Sequence, residues 1–138
     1  MKWQMQEINK ELKNLHRLFL DRERLEAEKL LQRKLSSFDF LFLLTQDENF
    51  AWMRPFSTLI ADVDAFLDEE EVPAWNIQDV RDQIVFVLQH EGSLIRDRIQ
   101  SYLGYDGEFI LAYSKLNALL SVVPEKAETE LRMEAANG

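Results

Sequence analysis

The first segment of the chain, Trp3 to Leu35, contains neither glycine nor proline. Within it, apolar side chains recur at intervals of three and four, which is the core stripe of an amphipathic helix. The stripe consists of Met5, Ile8, Leu12, Leu15 and Phe19. It fades through Asp21–Arg24 and resumes near Leu30, so the sequence predicts one long N-terminal helix.

The length of this helix conflicts with the size of a compact domain. A helix of about 32 residues is roughly 48 Å long, whereas a compact domain of 138 residues is only about 37 Å across. We therefore expect the helix to bend near Asp21–Arg24, to overhang the body, or to pack on a partner.

The rest of the chain also predicts helices. Ser36, with Asp39 three residues later, has the pattern of a capping box. The apolar run that follows, Phe38 to Leu44, predicts a short helix buried on most sides. Asn49–Met53 is interpreted as a single turn, and the next helix should begin near Pro55, because proline is tolerated in a first turn. Its apolar face is formed by Phe56, Leu59, Ile60, Val63, Phe66 and Leu67.

Three more helices are predicted after this one. Asn76 should cap the fourth helix, and Gly92 could either end it or lie inside a longer helix. Gly104 should end the next helix, Asp106 should cap the last, and Pro124 should close it. We expect an all-α fold, an irregular bundle of five to six helices, with residues 1–123 as a single domain and 124–138 as a polar tail, either a frayed helix or disordered.

The charge is distributed unevenly along the chain. Residues 1–38 carry nine Lys/Arg and six Asp/Glu, a net charge of +3, and the remainder carries seven and nineteen, a net charge of −12. A mainly acidic body repels phosphate, so we expect no nucleic-acid partner. The apolar runs are too short to span a bilayer, and no signal peptide is recognised, so we expect a cytoplasmic protein with no membrane partner.

Catalytic and metal-binding patterns are not recognised. The chain has no cysteine and two histidines, His16 and His90, neither of which stands in a Glu-x-x-His pair. No Gly-x-Ser-x-Gly elbow and no glycine-rich phosphate loop is present. The sequence therefore predicts a protein that is not an enzyme and that carries no metal and no cofactor.

Two sets of residues are candidates for binding. Trp52 and Arg54 at a helix start, with His90, are candidate ligand-binding residues, although Trp52 and Phe56 could be core anchors and Arg54 could pair with a carboxylate. The acidic run Asp68–Glu71 at a helix end could be compensated by Arg22, Arg24 or Lys29. The interface candidates are basic residues of the first helix and aromatic residues near the ends of elements: Arg17, Arg22, Arg24, Trp3, Trp75, Tyr102 and Tyr105.

Three stretches of the chain resemble a known family. They are Leu15-His16-Arg17, then Phe50-Ala51-Trp52-Met53-Arg54-Pro55-Phe56-Ser57-x-Leu59-Ile60, and Asp64. They are similar to small bacterial helical proteins classed as a domain of unknown function, over about residues 12–120. The resemblance implies a bacterial helical fold and no catalytic residue.

The leading hypothesis is a non-enzymatic interaction or scaffold protein. Its long first helix would contact a protein partner or, by self-association as a homodimer, lie on the acidic body of a second copy. The alternative is a small-molecule or anion-binding bundle with a pocket near Trp52 and Arg54.

Overall fold

The computed structural model describes residues 2–68 and 76–123, and within these ranges it is an all-α bundle without strands. A 3₁₀ helix, Glu48–Met53, lies between the second and third α-helices. The predicted fold class, a bundle with a long N-terminal helix, is confirmed. The six α-helices of the described residues are α1 (Lys2–Leu31), α2 (Ser37–Gln46), α3 (Arg54–Asp68), α4 (Asn76–Gln89), α5 (Leu94–Leu103) and α6 (Gly107–Ser121).

Helix α1 is the central element of the bundle. It runs without interruption through Asp21–Arg24, and its 30 residues span about 45 Å at the usual rise per residue. Its predicted stripe is buried and packs mainly against α6 and α3. Apolar burial along most of one helix face is therefore what holds the other elements around α1.

The C-terminus of α1 lies four residues before the predicted end. Gln32 adopts a left-handed conformation with φ of 55°, and the Arg33 N–H donates to the Glu28 carbonyl at 3.2 Å, which closes the helix. Leu35 is buried outside α1. Its N–H donates to the Glu28 carboxylate at 2.6 Å, and its carbonyl accepts from Arg24 Nη1 at 3.3 Å. The loop is thereby fixed to α1.

Helix α2 begins as predicted but is not buried as predicted. Ser36 and Asp39 form the reciprocal hydrogen bonds of a capping box. The prediction that α2 is buried on most sides is wrong: Phe38, Leu41 and Phe42 are 76%, 56% and 60% exposed. The reason is that α2 lies at the edge of the bundle and packs mainly against the 3₁₀ helix, through the face that contains Phe40.

The start of α3, and the break between α4 and α5, lie at a proline and a glycine of the sequence. Pro55 lies in the first turn of α3, and on its predicted apolar face Phe56, Leu59 and Val63 are buried while Ile60, Phe66 and Leu67 are half-buried. Gly92 has φ of 84° and separates α4 from α5, which settles the alternative left open.

Asp106 caps α6 by accepting from the Phe109 N–H at 3.1 Å, and Gly104 ends α5. Buried apolar residues from Met5 to Val123 form one core. Several predictions fall outside the residues that the structure describes. They concern the cap side chain of Asn76, the run 69–71, Trp75, Pro124 and the tail 124–138.

Candidate interaction surface

A buried polar cluster joins α1 to α5. The Glu23 carboxylate, 5% exposed, accepts from Arg98 Nε at 2.7 Å, from Arg98 Nη2 at 3.3 Å and from the Tyr102 hydroxyl at 2.7 Å. Burial and the Glu23 carboxylate raise the pKa of Tyr102 above its usual value, so the phenol keeps its proton and donates. Tyr102 is buried and contacts Phe19 and Phe109. This corrects its prediction as an interface residue, because its ring is enclosed by the core.

The basic residues Arg22 and Arg24 also have partners inside the bundle. Arg22 donates to Asp106 at 2.6 Å, to Asp21 at 2.8 Å and to Glu108 at 2.8 Å. These carboxylates raise the pKa of Arg22, and Arg22 in turn holds the pKa of Asp106 below its usual range. Arg24 bonds Asp21 at 2.9 Å.

Most of the acidic run, residues 69–71, lies outside the residues that the structure describes, so its compensation by basic residues of α1 stays a prediction. Lys29 pairs with Glu26 at 3.3 Å. Arg22 and Arg24 likewise pair with the carboxylates given above. Arg22 and Arg24 serve as internal links between elements more than as free interface residues.

Arg17 differs from the other basic interface candidates of α1. Its side chain is exposed, and within the described residues its guanidinium bonds only Asn14, at 3.0 Å. It lines a groove of about 330 Å³ between α1 and α2, together with Leu20, Arg24 and Leu41. Leu41 also belongs to the exposed face of α2. We call this region the α1–α2 surface; it comprises Arg17, Leu20, Phe38, Leu41 and Phe42.

Arg54 and Trp52, two of the three candidate ligand-binding residues, line two different grooves. Arg54 donates to the carbonyls of Leu44 at 2.8 Å, Thr45 at 3.2 Å and Asp47 at 3.4 Å. It thereby binds the C-terminal carbonyls of α2, where a cation is favourable. Arg54 also lines a groove of about 600 Å³ between α3 and α4.

Trp52 and His90 do not line the groove of Arg54. Trp52 meets Phe19 edge to face at 6.2 Å and lines a separate groove with Glu23 and Arg98. His90 is exposed and stacks on Phe86, which lines the groove of Arg54. The residues were predicted to surround one pocket, and the structure does not bring Trp52 into the groove that Arg54 lines.

The aromatic interface candidates Trp3 and Tyr105 are exposed, at 65% and 69%. Sequence reasoning missed Leu25, Arg33 and Lys34, which line a groove next to Tyr105, and it missed the exposure of Phe38, Leu41 and Phe42. One signal for the second group was available: a ten-residue helix with apolar residues on every side has more apolar surface than one neighbouring element can cover.

Two polar contacts connect α1 to α3. His16 Nε2 lies 3.1 Å from Ser57 Oγ, and the His16 ring lies 4.8 Å from Phe56. Burial lowers the pKa of His16 to about 4, so the ring is neutral near pH 7.

A histidine beside a serine is the start of a nucleophilic pair, but no described group hydrogen-bonds the other ring nitrogen. The second contact is Asp64, which accepts from Asn9 at 2.9 Å and pairs with Lys13 at 2.7 Å. Both contacts are adequately explained as links between helices.

Among residues 2–68 and 76–123, no three metal-binding side chains are grouped, and no helix there has the length and apolar character needed to cross a bilayer. No family model, no curated protein and no solved structure matches the chain.

Proposed function

We propose that the protein is a non-enzymatic interaction protein that binds a second copy or another protein through the α1–α2 surface. The observation that carries the proposal is that Phe38, Leu41 and Phe42 stay more than half exposed on one short helix. Contiguous apolar surface of this kind is uncommon on monomers and is typical of sites that bind another protein.

The arrangement of the three side chains supports this role. They stand at positions i, i+3 and i+4 and so share one face of α2. Aromatic residues and arginine are enriched in the centres of protein interfaces. Phe38 and Phe42 provide the aromatic side chains, and Arg17 provides a cation whose described partner is a neutral amide.

The charge distribution supports an acidic binding partner, and a second copy has the required charge. The first 38 residues have a net charge of +3, and the remainder has −12. Opposite charges steer association and set orientation more than they add affinity. In the self-associated form, α1 of one copy lies near the acidic body of the other.

Sedimentation velocity at micromolar concentration tests the self-associated form. The wild type should sediment as a dimer at low salt, and the variant Phe38→Ser/Phe42→Ser should be monomeric. Phe86→Ser is the matched control, since Phe86 is 62% exposed on α4, and it should remain dimeric. A wild-type chain that stays monomeric at low salt removes this form of the proposal and leaves binding to another protein.

A second candidate function is binding of a small anion or aromatic molecule beside Arg54. It is supported by the groove of about 600 Å³ whose walls include Pro55, Phe86 and Val87, a volume in the range of small-molecule sites. NMR titration of the full chain with benzoate tests it: shifts at Val87 that Arg54→Met abolishes support the candidate, and unchanged spectra reject it.

A bacterial origin, which the family resemblance implies, and a cytoplasmic location belong to this proposal as well. The absence of a recognised catalytic motif in the sequence supports the non-enzymatic part. Purified protein that hydrolyses generic ester, phosphate or peptide substrates, with loss of activity in His16→Ala or Ser57→Ala, would contradict it.

A further inference from the structure

The groove beside Tyr105, which we call the basic groove, lies at the C-terminal end of α1. It has a volume of about 680 Å³ and is bounded by α1, the loop after it and the turn between α5 and α6. Its apolar part includes Leu25 and Tyr105, which are 43% and 69% exposed. The Tyr105 ring is supported from below by Tyr102, edge to face at 6.2 Å.

The acidic side chains that line the basic groove all have partners. Asp106 accepts from Arg22 at 2.6 Å, and Glu26 pairs with Lys29 at 3.3 Å. Glu28 accepts from the Leu35 N–H at 2.6 Å. Their charge is therefore offset locally or held by a hydrogen bond.

Two basic side chains of the groove, in contrast, have no partner among the residues that the structure describes. Arg33 and Lys34 are exposed, and neither side chain makes an ion pair or hydrogen bond with any described residue. Within residues 2–68 and 76–123, the groove thus presents positive charge that no carboxylate offsets, on a chain whose net charge is −9.

The loop that carries these two cations is held in place. Gln32 reverses the chain in a left-handed conformation, and Leu35 is buried with both of its backbone groups bonded to α1. A loop fixed at both ends loses little conformational freedom when a ligand binds, which favours affinity.

We propose that the basic groove binds an acidic peptide segment of another protein, with an aliphatic or aromatic side chain against Leu25 and Tyr105 and carboxylates on Arg33 and Lys34. The inference goes beyond the proposed function, because it uses a different surface and does not depend on the α1–α2 surface. An anionic membrane is the less suitable occupant, since the acidic remainder of the chain is repelled by a negatively charged plane.

Fluorescence anisotropy with the full chain tests this binding. The probe is a fluorescein-labelled peptide in which glutamates flank a leucine–phenylalanine pair, and the control peptide has glutamine in place of each glutamate. The acidic probe should bind at low salt and weaken at high salt, because the cations are exposed. Arg33→Gln/Lys34→Gln should weaken binding by about tenfold or more, as expected for loss of two complementary charges.

Matched variants separate the basic groove from general charge and from the other surface. Lys10→Gln/Lys115→Gln makes the same change in net charge at two other exposed lysines, and it should bind the probe like wild type. Tyr105→Ser should weaken binding, whereas Phe42→Ser on the α1–α2 surface should not.

Four results overturn the proposal: no binding of the acidic probe, equal binding of the glutamine peptide, equal weakening by the lysine control, or a preference for anionic phosphatidylglycerol vesicles over the peptide. None of these results bears on self-association measured by sedimentation, so the two proposals fail independently.

Discussion

Removal of Arg98 should destabilise the bundle far more than removal of a neighbouring arginine of equal exposure. The Arg98 side chain is 34% exposed and pairs with Glu23, whose side chain is 6% exposed. Arg96 is 36% exposed and pairs at 3.7 Å with Asp97, which is 55% exposed. The two arginines share one helix and differ mainly in whether the partner carboxylate is buried.

The expected loss in the free energy of unfolding follows from the burial of the partner carboxylate. Breaking a buried ion pair by removing one partner costs about 3–5 kcal/mol, because the other charge stays buried. Glu23 keeps the Tyr102 hydroxyl as a donor, so we expect Arg98→Met to lower the free energy of unfolding by about 3 kcal/mol. Arg96→Met should change it by less than about 0.5 kcal/mol, as for other exposed pairs.

Urea unfolding at pH 7, followed by circular dichroism, measures both variants. With a denaturant slope of about 1.5 kcal/mol per molar, the Arg98→Met midpoint should fall by about 2 M. The double variant Glu23→Gln/Arg98→Met should lose about 2 kcal/mol less than the sum of the two single variants, since it leaves no uncompensated charge. Equal effects of Arg98→Met and Arg96→Met, or strict additivity in the cycle, would refute the assignment of this pair as a buried link.

Three further predictions concern the frame of the bundle. Gln32→Gly should raise the free energy of unfolding by about 1 kcal/mol, because glycine adopts the left-handed conformation without strain; an unchanged or lower melting temperature contradicts this. Since the pKa of His16 is about 4 when folded and 6.5 otherwise, protonation favours the unfolded chain, and His16 alone should lower the free energy of unfolding by about 3 kcal/mol between pH 7 and pH 4. His16→Gln should lose less over that interval in urea titrations at each pH, and an identical loss argues against the assignment. Leu116→Asp should unfold the domain, since Leu116 is 0% exposed; Leu111→Asp, at a position 58% exposed on the same helix, should melt like wild type.

The sequence sufficed for the elements whose pattern is local. The stripe of α1 and the caps at Ser36 and Asp106 depend on residues three or four positions apart, so their spacing predicts them directly. The end of α1 was not predictable in the same way, because Gln32 is an unusual residue for a left-handed conformation.

The candidate surfaces were harder to predict because they depend on contacts between distant residues. The sequence of an apolar helix such as α2 predicts that the helix is buried. It does not predict how many neighbouring elements cover it. The Glu23–Arg98 pair joins residues 75 positions apart, and neither residue stands in a recognisable motif. The ring of Tyr102 is buried beside this pair. Its position near a helix end did not predict this burial.

Site-specific photo-crosslinking tests the central proposal most directly. Benzoylphenylalanine would replace Phe42 on the α1–α2 surface or Phe86 on α4, and cells of the source organism that make the full chain would be irradiated. We expect one discrete product from position 42, either a dimer of this chain or a complex with one other protein, and this product should disappear when Phe38→Ser is added. A position 42 probe that gives no product, or the same products as position 86, would contradict the claim that the exposed face of α2 binds a protein.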